Sequence, residues 1–328
     1  MTPASSPGPP QPDVLSGWVQ RRLNLSPDAG PIPPVASLVH PETRPGNQRA
    51  VLYVHGFVDY FFQTHHARVW QDAGFDFHAL DLRDYGRSLQ PGRYPNWVLD
   101  LATYDEEIGA ALSWLAADYD DVVLLGHSTG GLVVSLYAHR HPSHVSAVVL
   151  NSPWLDLNEP WLTRTFLAPL VRRFGRLVPR AEISQFGSGY GRFLHTSTGG
   201  EWDYNLEWKP LDGFGVYTGW LAAILDGHHH VKRGLDIPVP VLMATSDARG
   251  DNNNPTREEL VSTDVVLDPK QMWQRAFRLG RDVTVVRIPG GIHDLSLSPG
   301  TPRQVFHEEL TFWLNQRFKN TPDHPFVA

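Results

Sequence analysis

Short apolar runs alternate with segments of helical spacing through the middle of the chain, and this alternation is its most informative pattern. Arg49 to His55 (RAVLYVH) is largely apolar and ends in His-Gly, as suits a strand buried on both faces. Phe75 to Leu82 (FDFHALDL), Val122 to Leu125 (VVLL), Val145 to Leu150 (VSAVVL), Val239 to Thr245 and Val283 to Ile288 read as further strands. Residues 60–73 and 103–118 read as helices, the second with Ile108, Leu112 and Leu115 on one side. Leu132, Val133, Leu136 and Tyr137 mark a helix after VVLL that should stop before Pro142, and Pro302 to Phe318 closes the series. Strands alternating with helices imply an α/β fold with a mostly parallel, doubly wound sheet covered on both faces.

The pattern fails in two places. Residues 1–33 are rich in Pro, Ser and Gly, with one short mixed stretch from Val14 to Leu25, and read as a flexible, loosely held arm. Pro34 to His40 (PVASLVH) then reads as a short edge strand. The alternation breaks again between Pro153 and about Asp236, in a stretch that holds Trp154, Trp161, Trp202, Trp208 and Trp220. That stretch is too long for a simple connection and reads as a helical cap over a site, or a second domain. The expected organisation is an arm (1–33), a core in two parts (34–152 and 237–318), a cap or lid (153–236) and a C-terminal tail (319–328).

Composition narrows the function classes. The net charge of −7 with no long basic run makes a nucleic-acid partner unexpected. With no cysteine, disulfides, a thiol nucleophile and cysteine-bound metal are excluded. The N-terminal MTPASSPGPPQPDV has no basic start followed by an apolar core, and no apolar stretch approaches the ~20 residues of a membrane span. A soluble, cytoplasmic protein is the expectation.

Chemistry enters at Gly126-His127-Ser128-Thr129-Gly130, a G-x-S-x-G pentapeptide between the VVLL strand and a helix-forming segment. A serine there sits on a sharp strand-to-helix turn, and flanking glycines are needed because side chains would collide with neighbouring backbone. A serine hydroxyl needs a base to take its proton. His293, in Gly290-Gly291-Ile292-His293-Asp294, lies just after the last strand, which is where the Ser–acid–His chain order of this fold requires the base. For the acid, position alone favours Asp247, directly after the Val239–Thr245 strand; Asp264 lies further on, and Asp251 and Asp268 are weaker candidates. The backbone N–H groups of Phe57, after the first parallel strand, and of Thr129 are the expected oxyanion donors.

These segments together resemble a known family. HGF (55–57), LDLRDYGRS (80–88), GHSTGG (126–131), STDVVLDP (262–269) and GGIHDLSLS (290–298) occur in the order found in the serine-aminopeptidase and lysophospholipase-like branch of the α/β-hydrolase superfamily, which includes monoacylglycerol lipases. The resemblance covers about residues 49–318 and implies an α/β-hydrolase fold with a helical cap. It also implies that the triad acid belongs to a D-x-x-V-like segment, which maps onto Asp264 rather than Asp247. The polar insertion 248–261 (ARGDNNNPTREELV) departs from the family pattern.

Other features carry bland readings. His228-His229-His230 is expected at an exposed helix end, since consecutive helical residues do not face one metal ion. Asp81, Asp84 and Arg87 form a charged turn held by ion pairs. From Trp161 to Arg180 there are five arginines (164, 172, 173, 176 and 180), and Leu162, Phe166, Leu170 and Phe174 recur every fourth residue around Pro169. This reads as a cap helix packed on the core, the alternative being a basic amphipathic helix resting on lipid or an anionic substrate. The function expected is a serine hydrolase of carboxylic esters acting on a small-molecule substrate with an apolar acyl group, with no metal or cofactor. An aminopeptidase or amidase using the same triad is the alternative, and a catalytically silent binding module a remote one.

Overall fold

A computed structural model describes residues 6–157, 173, 175, 177–185 and 188–318. Among these, nine strands form one sheet: β1 (Gln11–Pro12), β2 (Trp18–Asn24), β3 (Val35–Pro41), β4 (Arg49–Val54), β5 (Asp76–Asp81), β6 (Asp121–His127), β7 (Ala147–Asn151), β10 (Val241–Ser246) and β11 (Val283–Ile288). Two further strands, β8 (Glu182–Gln185) and β9 (Gly215–Tyr217), pair with each other antiparallel. The order across the large sheet is β1-β2-β3-β5-β4-β6-β7-β10-β11. β1, β2 and β3 run antiparallel to their neighbours, and β5 through β11 are parallel. This is the mostly parallel, doubly wound α/β sheet the apolar runs foretold.

Alternate residues of each parallel strand supply the two cores, because successive side chains point to opposite faces. Val51, Tyr53, Phe77, Val123, Val149 and Leu242 face helix α1 (Thr64–Asp72) and helix α8 (Gly300–Arg317), which contribute Ala67, Trp70, Leu310 and Trp313. Leu52, Val54, Leu124, Val148 and Leu150 face the other way, onto α2 (Asp105–Leu115), α3 (Thr129–Arg140) and α5 (Thr218–Arg233). Three more helices lie between: α4 (Ser188–Leu194), α6 (Arg257–Ser262) and α7 (Pro269–Ala276). From β4 the chain crosses to β5 on one side and later to β6 on the other. The carboxyl ends of β4 and β6 therefore flank the crevice where open α/β sheets hold their ligands.

Three expectations need correcting. The N-terminal stretch is no loose arm over its whole length: β2 pairs with β3 through seven residues, and Trp18, Val19, Leu23 and Leu25 are buried. Its acids reach buried arginines of the core, Asp13 pairing with Arg87 at 2.6 Å and Asp28 with Arg93 at 2.6 Å. With β2 outside it, β3 is an inner strand buried along its whole length and not an edge. Finally, α5 packs on α3 and brings Trp220, Ile224 and Val231 into the main core, so the expected cap gives way to core at Thr218. His228 on that helix is buried, its Nε2 3.0 Å from the carbonyl of Trp154, while His229 and His230 are exposed as expected. The stretch 161–180, expected as an arginine-rich cap helix, lies outside the described residues except for 173, 175 and 177–180, as does the tail 319–328.

Candidate active site

The turn at the end of β6 is built from steric necessity. Ser128 adopts φ 52° and ψ −117°, a conformation that strains any side-chain-bearing residue, and α3 starts at the next residue. A Cβ at Gly126 would stand 2.6 Å from the carbonyl oxygen of Gly130, and one at Gly130 would strike the carbonyl oxygens of Val54 and His55. Both glycines are thus fixed by close backbone approach. The turn is tied to the next strand as well: the Ser128 N–H donates to the Asn151 carbonyl at 3.0 Å, and the Ser128 carbonyl accepts from the Trp154 N–H at 2.9 Å.

His293 follows β11 on a loop that returns to this turn. Its Nε2 lies 3.0 Å from Ser128 Oγ and its Nδ1 lies 2.9 Å from Asp264 Oδ2. A carboxylate can only accept, so Nδ1 carries the proton and the Nε2 lone pair faces the serine hydroxyl. Asp264 is fully buried, and its other oxygen accepts the N–H groups of Val266 (2.9 Å) and Leu267 (2.7 Å). Asp247 is exposed and accepts the Gly290 N–H at 3.3 Å. Asp251 closes a turn onto the N–H groups of Asn253 and Asn254, and Asp268 caps α7 through the Lys270 N–H. The carboxylate at the imidazole is therefore Asp264.

The polar insertion explains how a residue so far past β10 reaches the histidine. After β10 the chain leaves at Ala248, turns through α6, which begins with a capping box between Thr256 and Glu259, and comes back to Asp264. The Asp264 N–H donates to the Ala248 carbonyl and the Gly250 N–H to the Asp264 carbonyl, both at 2.9 Å. The excursion is closed at its base, so its length leaves the position of Asp264 unaltered.

The loop after β4 passes directly over the serine: a Cβ at Gly56 would lie 3.1 Å from Ser128 Cβ. His55 holds this loop rather than reacting, with Nδ1 2.8 Å from the Gly56 carbonyl and Nε2 accepting the Leu82 N–H at 3.1 Å. Asn96 Oδ1 accepts the Val58 N–H at 3.1 Å, completing the loop's shape. Phe57 thus borders Ser128, and Thr129 opens α3, where the first N–H groups of a helix lack intrahelical partners and face developing negative charge. The Phe57 ring lies 4.2 Å from Trp220, which is 6.0 Å from Trp154, so the half-buried Phe57 is backed by aromatic side chains of the core.

Several neighbours escaped the sequence reading. Tyr190 on α4 sets its ring edge on His293 at 5.9 Å and accepts the Asp294 N–H on its hydroxyl at 2.9 Å. Lys209, on the segment after α4, pairs at 2.5 Å with Asp59 beside the β4 loop. His127 is buried with Nδ1 3.1 Å from the Asn151 carbonyl, and burial pushes its pKa down, which keeps it neutral near pH 7. None of these contacts has a periodic or motif signature; only the adjacency of His127 and Asp294 to motif residues hinted at them.

A family model described as serine aminopeptidase, S33, matches residues 45–299. A monoacylglycerol lipase of Mycolicibacterium smegmatis is 30% identical over 142 residues, covering 42% of this chain and 48% of that protein. The chain spans about half or less of the length of the curated relatives it matches. Among solved structures, the monoacylglycerol lipase of Paleococcus ferrophilus superposes with a TM-score of 0.61 at 20% identity, covering 82% of this chain and 94% of that one. A soluble variant of the Saccharomyces cerevisiae monoglyceride lipase gives 0.63 at 14% identity, covering 96% and 97%. At such identities these two likenesses establish the fold.

Proposed function

This chain belongs to the serine aminopeptidase S33 family of α/β hydrolases, and on that premise we propose that it cleaves carboxylic esters through an acyl-enzyme on Ser128. The observation that carries the reading is the unbroken relay of Ser128 Oγ, His293 and Asp264, at 3.0 and 2.9 Å, in the crevice at the carboxyl end of the sheet. His293 Nε2 takes the hydroxyl proton as Oγ attacks the acyl carbon. The N–H groups of Phe57 and Thr129 hold the oxyanion, and Asp264 supports the imidazolium. The imidazolium then gives its proton to the departing alkoxide, and the alcohol leaves. A water, deprotonated by the same Nε2, attacks the acyl carbon; Oγ departs with the proton returned, releasing the carboxylic acid.

The half-buried Phe57, on the loop that passes over Ser128, suits an apolar acyl group. The names of the relatives, monoacylglycerol lipases among them, favour a fatty-acyl ester of a small alcohol. An aminopeptidase would need a carboxylate to bind the substrate amine. Those buried around Ser128 are already engaged, Asp59 by Lys209, Asp264 by His293 and Asp294 by Asn151 and Ser296, which favours the ester. Treatment with a fluorophosphonate probe should place a single adduct on Ser128, and Ser128→Ala should abolish both labelling and hydrolysis of p-nitrophenyl esters. Folded protein that neither labels nor cleaves such esters would sink the proposal. A chain-length series of the same esters then measures the acyl preference.

A further inference from the structure

The relay leaves one buried carboxylate unused. Asp294 follows the histidine directly in sequence, is 2% exposed, and points away from the relay into a closed set of donors. Its Oδ1 accepts from Asn151 Nδ2 at 2.7 Å, from Ser296 Oγ at 2.7 Å and from the Ser296 N–H at 3.0 Å; its Oδ2 accepts from Gln63 Nε2 at 3.2 Å. Burying a carboxylate is costly unless it is hydrogen-bonded, and four donors from three parts of the chain are an extensive provision for one that merely fills space.

The partners matter more than their number. Asn151 ends β7, and its side chain holds both Asp294 and, through Oδ1, the Leu295 N–H at 3.2 Å. The carbonyl of the same residue accepts the Ser128 N–H. One residue thus joins the loop bearing the base to the turn bearing the nucleophile, and Asp294 is the acceptor that completes the joint. Burial opposes the charge on Asp294, but the His127 ring when protonated, and at every pH the hydrogen bonds from Ser296 and Asn151, outweigh it and hold the carboxyl well below its ordinary range. It remains an anion at every pH where the relay works. The titratable and charged groups around it are His127 from β6, Tyr53 from β4, His65 and His66 from α1, His307 from α8 and Tyr190 from α4. Asp264 and the Asp59–Lys209 pair complete the set facing His127 and Tyr190.

We propose that Asp294 is a positioning residue for the relay: a buried carboxylate whose hydrogen bonds to Asn151, Ser296 and Gln63 lock the His293 loop to β7 in register with Ser128. This rests on the relay reading above and adds a second anion to it. Asp264 orients the ring through Nδ1, whereas Asp294 fixes where the loop stands.

The test is Asp294→Asn, which keeps the shape and one acceptor oxygen but removes the charge. Hydrolysis of p-nitrophenyl butyrate is followed across pH, with fluorophosphonate labelling rates measured in parallel. The expected result is a kcat lowered about 10- to 100-fold, a KM within about threefold of wild type, and a labelling rate lowered in parallel with kcat. Asn151→Ala, which leaves the carboxylate but cuts its tie to β7, should also lower kcat with little change in KM. An unchanged kcat in either folded variant, or a loss carried by KM rather than by kcat, overturns the proposal. If Asp294→Asn does not fold, Asn151→Ala decides the positioning role. Wild-type protein without an adduct on Ser128 would instead mean that the parent reading has failed.

Discussion

At the scale of single residues, the serine turn and the β4 loop were legible because sterics leave few alternatives. Gly126, Gly130 and Gly56 each lie where a Cβ would crowd backbone or the serine itself, so their spacing around Ser128 is written into the chain. The carboxylate was not legible from position. Asp247 has the better address at the end of β10, but the chain closes its excursion at Ala248 and Gly250 and delivers Asp264 to the imidazole. Only the resemblance of STDVVLDP to a family segment pointed there, since the closing hydrogen bonds are made by backbone that any sequence possesses. Asp264→Asn should therefore lower kcat by roughly 10³-fold or more by leaving the imidazole in the wrong tautomer. Asp247→Asn, which touches only the Gly290 N–H, should stay within about threefold of wild type. Steady-state kinetics of the two variants on one p-nitrophenyl ester decides it, and the reverse order would return the role to Asp247. Asn151 and Gln63 were invisible for a different reason: a buried polar network has neither period nor motif.

At the scale of elements, five of the six parallel strands were readable because a strand covered on both faces must be almost wholly apolar, and the partly exposed edge strand β11 through its β-branched run. β2 was not. Its exposure alternates only loosely, and the Pro- and Gly-rich residues before it weighed the segment towards disorder. What holds it lies elsewhere in the chain: the pairing with β3 and the buried arginines Arg87 and Arg93, which gather Asp13 with Asp81 and Asp28 with Asp84. A window of local sequence cannot contain those partners. Leu23 is fully buried in this strand, so Leu23→Ala should cost about 2–5 kcal/mol in urea unfolding. A residue on a loose arm would cost close to nothing, and that outcome would detach β2 from the cooperative unit. The cap was read from the break in the alternation, as a cap over the site or a second domain, without the contacts that place it. Its described part owes its place to pairs such as Lys209 with Asp59 and Tyr190 on His293, which link residues far apart in the chain.

At the scale of the whole molecule, buried imidazoles couple stability to pH. Burial pushes His228 and His307 down to about 4 from 6.5. His66 and His78 are lowered in the same direction by the same cause. A histidine whose folded pKa lies below its unfolded one takes up its proton first in the unfolded chain. Its contribution is complete above pH 6.5, falls as pH drops from 6.5 towards 4, and changes no further below that. His228 and His307 would each withdraw up to about 3 kcal/mol over that window. The urea midpoint should accordingly be lower at pH 5 than at pH 7.5; equal midpoints would mean that these rings are not held neutral.

The Pro-rich segment ahead of β2 has a consequence for how copies of this protein meet one another. It runs beside the outermost long strand, the Gly8 N–H on the Arg22 carbonyl and Gln11 and Pro12 opposite Gln20 and Val19. An open strand edge recruits other chains by offering a row of unpaired N–H and C=O groups. Here the last strand is two residues long, and Pro9, Pro10 and Pro12 have no N–H to offer. The composition that marks the segment as poor structural material makes it a good terminator, a border at which this side of the sheet offers another chain few free donors.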